Sequence, residues 1–151
     1  MEILDVVAII VTGLMVGNEL AIAGFVHPTL DGLPDAVHLP AASALARILG
    51  MCMPFWYILV LLLALAETVI QWHQSGHLPG WFAASAILLV LVILYTVTTM
   101  VPINNRIASW TKDPAPADWK TFRSRWDWHH RWRVVLLTIA FAFLIAGVIG
   151  K

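Results

Sequence analysis

Residues 81–101 read WFAASAILLVLVILYTVTTMV, 21 positions without one charged side chain. A helix of that length, rising about 1.5 Å per residue, crosses the ~30 Å hydrocarbon layer of a bilayer. A helix is also the one unclosed segment that satisfies its own backbone polar groups there. The same reading extends in both directions. Ile3–Val26 is apolar apart from Asp5, Asn18 and Glu19, and the stretch from 48 to 72 is most apolar between Ile48 and Ala66. Val134–Gly150 is the last apolar run, short enough that a Trp-rich helix before it is needed to extend it into the interface. Spans are therefore expected at about 3–27, 48–72, 81–101 and 131–150, with an interfacial helix at about 119–133. The expected fold class is an all-α, integral membrane four-helix bundle, a single domain over residues 1–151.

Composition agrees. The chain is 60% hydrophobic and 12% charged, with a mean hydropathy of +0.83, outside the range of soluble domains. Nine basic and nine acidic side chains cancel, leaving no basic field that could track a nucleic acid. The single cysteine, Cys52, excludes an intrachain disulfide and a thiolate metal cluster. Residues 27–40 form a connector bearing Pro and Asp, residues 71–80 a short hairpin link with Gly and Pro, and Pro54 predicts a bend in the second span. Pro102 predicts a helix break after the third span. Ala21-Ile22-Ala23 resembles a signal-peptide cleavage site, but the apolar core is preceded by Glu2 and Asp5 and by no Lys or Arg, so the segment is read as a span.

Four spans place both termini and the 73–80 turn on one side. That side carries Lys151 alone, whereas the other holds Arg47, Arg106, Lys112, Lys120, Arg123, Arg125, Arg131 and Arg133. The positive-inside rule then makes the basic side cytoplasmic, with both termini outside an inner (cytoplasmic) membrane. Trp110, Trp119, Trp126, Trp128 and Trp132 are expected to anchor that same interface.

The unusual polar residues also gather at the basic end. Glu19 lies roughly 12 Å along the helix from His27 at ~1.5 Å per residue, and so within the hydrocarbon, where a carboxylate needs a partner or a function. On a helix, Trp126, His130 and Arg133 share a face, as do Arg123, Asp127 and His130. Asp127 is expected to fix the His130 ring in one tautomer, the arrangement of a general base. His129, Arg125 and Arg131 read as interfacial anchors. Asn104, Asn105 and Arg106 offer donors to a carbonyl or developing oxyanion, though a helix stop alone also accounts for an Asn. Glu67 reads as a headgroup-reaching residue at the outer end. Glu19, His27 and His130 form a rival set of transition-metal ligands, and Met51, Cys52 and Met53 a weaker one for copper. His73 and His77 stand i, i+4, but Gly76 and Pro79 oppose the helix such a metal pair requires. Gly13 and Gly17 make a small-residue stripe that suits packing within the chain or between copies.

Taken together, Gly17-Asn18-Glu19 with Phe25-Val26-His27-Pro28, Met53-Pro54-Phe55-Trp56, Pro102-Ile103-Asn104-Asn105-Arg106, and Arg125-Trp126-Asp127 with His130 and Arg133 resemble the anthrone oxygenase-like family of small four-span membrane proteins. The resemblance covers nearly the whole chain. It implies oxidation of an anthrone-type aromatic by dioxygen, with no organic cofactor required. His130 or Glu19 would then remove a proton, supported by Asp127. Asn104, Asn105 or Arg106 would stabilise the oxyanion, Arg133 would help bind the substrate, and Trp126 and Trp56 would flank the rings. The expected partners are the bilayer, a hydrophobic small molecule and dioxygen. A metal-dependent site and a non-catalytic binding protein or accessory subunit are the alternatives.

Overall fold

The computed structural model describes residues 2–110 and 117–151; Lys112 lies outside them. Four long helices carry the fold: α1 Ile3–Asp31, α2 Asp35–Ser75, α3 Gly80–Ala108 and α4 Trp119–Ile149, each long and apolar enough to cross a membrane. Links of a few residues between α1 and α2 and between α2 and α3 make those neighbours antiparallel. α4 packs on α3, α3 on α2, and α1 closes the ring against both α2 and α4. The α2–α3 link is set by Gly76. Its φ of +72° terminates α2, with its N–H donating to the Trp72 carbonyl, a conformation open to glycine at no steric cost. That stop falls between His73 and His77.

The helices outrun their expected limits. Pro102 does not break α3, because Thr96–Met100 is a π-helical turn and Pro102 enters the first turn of the segment that follows. There its missing N–H costs little, and the helix runs on to Ala108. α1 uses the same device: a π turn at Ile22–Val26 precedes His27-Pro28, and helix continues to Asp31. α2 begins at Asp35 with Pro40 and Pro54 both inside it, and the expected interfacial helix and fourth span are one continuous α4.

The mid-bundle core joins Met15 and Val16 of α1, Tyr57, Val60 and Ala64 of α2, Ala86, Leu89 and Val92 of α3, and Leu137 and Ala140 of α4. Small residues bring α3 and α4 close enough for Ser85 Oγ to donate to the Ala140 carbonyl at 2.8 Å. Gly13 faces Phe141 within the chain, whereas Gly17 meets nothing. Of the five tryptophans expected at the interface, Trp110 and Trp126 are buried and Trp119 packs beside them, while Trp128 and Trp132 are exposed. A ring's amphipathic character does not by itself decide which face of a helix it occupies.

At the opposite end Glu67 is buried rather than reaching outward. Lys151 Nζ donates to Glu67 Oε2 at 2.9 Å and also to Asp5 Oδ1. Burial works against this ammonium, and its hydrogen bonds to Asp5 and Glu67 more than offset that, holding its pKa above the ordinary lysine value.

Gly147 marks a close approach between α4 and α3, since a Cβ there would sit 2.8 Å from the buried Phe82 ring, whereas one at Gly80 would meet nothing. Gly147→Ala is expected to destabilise the protein by about 1–3 kcal/mol, read as a lower unfolding temperature in detergent, with Gly80→Ala unchanged or slightly stabilised. Equal behaviour of the two variants would contradict this packing.

Candidate active site

Arg123, Trp126, Asp127, His130 and Arg133 fall on one face of α4, and all five are buried. The next residue round the helix, His129, turns away, and its Nδ1 lies 2.5 Å from the Tyr95 hydroxyl; Arg125 and Arg131 are exposed. The inward face meets Glu19 of α1, which is 1% exposed. Glu19 Oε1 accepts from the Tyr57 hydroxyl at 2.9 Å, and Oε2 accepts from Arg133 Nη2 at 2.8 Å. A carboxylate and a guanidinium this deep are tolerable only as a hydrogen-bonded pair.

His130 stands directly behind this pair. Its Nδ1 lies 2.9 Å from Arg133 Nη2 and 3.3 Å from Glu19 Oε2. The Trp126 ring stacks on the His130 ring, 4.7 Å between centroids and 18° from parallel, and meets His27 edge-on. The expected Asp127–His130 pairing does not form. Asp127 Oδ1 instead lies 2.9 Å from His27 Nδ1 and 3.2 Å from Arg123 Nη2. α1 continues through the π turn at Ile22–Val26 and brings His27 to that carboxylate, so a cross-helix partner takes the place of the one on the same helix.

In front of Glu19 lies a cavity of about 310 Å³. Leu49, Met53, Pro54 and Ile58 of α2 and Ile93, Val97, Met100 and Val101 of α3 form most of its wall, Glu19, Tyr57, Trp126 and Arg133 its inner end, and Asn104 and Asn105 its rim. Each wall is one helical stripe at i, i+3 and i+4 spacing. Three buried polar atoms on residues lining the cavity have no hydrogen-bond partner: Thr96 Oγ1, Trp126 Nε1 and Arg133 Nε. Buried donors left in this state each cost about 1–3 kcal/mol, and an apolar cavity with a few such groups is the usual build of a small-molecule site.

The expected oxyanion residues divide. Asn104 lines the cavity but donates Nδ2 to the Ala46 carbonyl at 3.1 Å, and Asn105 lines it from an exposed position. Arg106 is not on the wall; its guanidinium lies over the Phe122 ring at 4.0 Å, which satisfies a cation on the bundle's outer face. Trp56 is not on the wall either, because its indole donates to the Val11 carbonyl at 3.1 Å and fastens α2 to α1. Tyr57 and Thr96 are the functional candidates that sequence reasoning missed. Thr96 shares its stripe with Asn104 eight residues on, the one signal that pointed to it.

The metal alternative needed Glu19, His27 and His130 around one point. Among the described residues no group of three or more His, Cys, Asp or Glu side chains is placed to hold a metal ion. Glu19 is engaged by Tyr57 and Arg133, and His27 faces Asp127. Met51 and Cys52 are exposed while Met53 is buried on the cavity wall, so these three do not converge.

Removing one member of the Glu19–Arg133 pair leaves the other charged and buried. Arg133→Leu is expected to cost about 3–5 kcal/mol of stability, and adding Glu19→Gln to that variant should recover most of it, read by thermal unfolding in detergent. A double variant no more stable than Arg133→Leu would contradict the pairing.

No curated protein and no solved structure matches this chain. The family model described as Anthrone oxygenase matches residues 41–143. That region holds Tyr57, both cavity walls, and the α4 face from Arg123 to Arg133. It covers more than half the chain, and the protein belongs to the anthrone oxygenase family.

Proposed function

We propose that the protein is a membrane oxygenase that uses dioxygen to oxidise a flat, apolar aromatic with an acidic ring C–H and a ring oxygen, an anthrone-like or quinol-like molecule. The observation that carries this reading is the cavity itself: apolar walls, one carboxylate, and three buried donors without partners on residues that line it. Such donors reward a ligand that brings acceptor oxygens. Ile58 and Val97 line the cavity and are also exposed, at 53% and 56%, on the outside of the bundle between α2 and α3. This supports access from the lipid, where such a substrate dissolves. The basic end is taken as cytoplasmic on the charge bias.

Among the described residues Glu19 is the only carboxylate on the wall, so it is the group that takes the proton, with His130 supporting it from behind. The C–H bond breaks, its electron pair moves onto the ring oxygen, and Trp126, Thr96 and Arg133 donate to that oxygen. The enolate passes an electron to dioxygen, and the resulting pair joins through a C–O bond. Loss of the second C–H proton then breaks the O–O bond, leaving a carbonyl on the substrate and the other oxygen as water. The substrate loses four electrons and dioxygen gains four. Electrons pass from the enolate straight to dioxygen, so no organic cofactor is required.

Glu19→Gln should lower oxygen uptake with anthrone by about 10²–10⁴-fold while anthrone still binds. Thr96→Val should lower kcat/KM by roughly 10-fold, the loss of one hydrogen bond of about 1.4 kcal/mol. Binding without turnover in the unaltered protein would favour a carrier or accessory role, and full turnover in Glu19→Gln would remove the carboxylate from the chemistry.

A further inference from the structure

A second cavity, about 410 Å³ and polar, lies at the basic end and is lined by Asp31, Asp35, Lys120, Arg123, Asp127 and Arg131 among others. Two buried imidazoles separate it from the apolar cavity. His130 lies against Glu19 on one side, His27 lies against Asp127 on the other, and the two rings are 5.2 Å apart between centroids. Asp127 lines the polar cavity and is the least buried of the four, with its side chain 13% exposed.

The neighbours of each ring fix where its proton sits. A guanidinium has donors only, so Arg133 Nη2 at 2.9 Å makes His130 Nδ1 an acceptor and leaves the proton of the neutral ring on Nε2. Asp127 Oδ1 lies 2.9 Å from His27 Nδ1, an ion-pair distance without hydrogen-bond alignment, and its negative charge favours the ring proton on Nδ1, leaving a lone pair on Nε2. Both Nε2 atoms are buried, and neither has a hydrogen-bond partner. With those tautomers the adjacent rings hold one unused donor and one unused acceptor. Arg133 and Arg123 flank the two ends of the row, 2.9 Å from His130 Nδ1 and 3.2 Å from Asp127 Oδ1 respectively.

We infer that Glu19, His130, His27 and Asp127 form a proton relay connecting the apolar cavity to the polar one. The inference rests on the proposed role of Glu19. Once Arg133 Nη2 releases the Nδ1 lone pair, a protonated Glu19 gives its proton to His130 Nδ1, His130 Nε2 gives its own to His27 Nε2, and His27 Nδ1 gives its own to Asp127. At each step one O–H or N–H bond breaks and one forms, and no electrons change hands. The overall oxidation returns both C–H protons to water, so the relay acts in the interval when the enolate waits for dioxygen. By moving the proton away from Glu19, it prevents immediate return to carbon. His130, His27 and Asp127 are positioning residues on this account, since none of them lines the substrate cavity.

The test uses anthrone deuterated at its methylene, mixed under argon with the full-length protein in detergent, and follows loss of deuterium to water above the enzyme-free rate. The unaltered protein should accelerate washout. Asp127→Ala should slow it at least 10-fold with anthrone affinity and unfolding temperature retained, and added formate, small enough for the polar cavity, should restore it. Asp127→Glu should keep washout near the unaltered rate. If Asp127→Ala exchanges as fast as the unaltered protein, or formate fails to rescue a folded, anthrone-binding variant, the relay is wrong and the role of Glu19 stands. Absence of both washout and oxygen uptake in the unaltered protein would overturn the Glu19 reading and the relay with it.

Discussion

A carboxylate one helix turn from a π segment, in a span surrounded by hydrocarbon, has to find a cation, and Glu19 finds Arg133 across the bundle at 2.8 Å. The rest of the basic end depends on that contact. It fixes the rotation of α1 against α4, brings the Tyr57 hydroxyl of α2 onto the second carboxylate oxygen, and seats His130 behind the pair. Glu19 presents to the cavity only because its partners come from the sides and rear. The pair contributes less to net stability than to orientation, since burying two charges offsets much of their attraction.

The opposite end of the bundle obeys the same rule with different residues. Asp5 and Glu67 are buried carboxylates from α1 and α2, and Lys151 bridges them. Between the two ends the interior is almost wholly apolar, from Met15 and Val60 to Leu89 and Leu137. Each end therefore carries its own compensated charge cluster. The basic end opens onto a cavity of about 310 Å³ beside a carboxylate.

Much of this was legible in the sequence. Four apolar runs give four helices, because hydrocarbon leaves the backbone no alternative. The inward face of α4 follows from the spacing of Arg123, Trp126, Asp127, His130 and Arg133, and Glu19 stands out as a charge where charges are expensive. The missed features depend on contacts between helices. Asp127 has His130 within reach on its own helix, and nothing local reveals that His27 lies closer across the bundle. Prolines 28 and 102 read as helix ends because the π turns that accommodate them leave no signature in composition. Arg106 looked like an anion binder until Phe122 took its guanidinium, and Thr96 looked like one of several threonines until its hydroxyl was left unpartnered on the cavity.

The proposed function reduces to one chemical claim: a substrate seated between the α2 and α3 walls loses a proton to Glu19 before dioxygen takes part. The absorption spectrum of anthrone bound to the protein under argon tests that claim most directly. The account predicts that the longer-wavelength band of the enolate appears on binding and decays when dioxygen is admitted. Anthrone bound only in its neutral form, and consumed on admission of dioxygen with no enolate preceding it, would contradict the account.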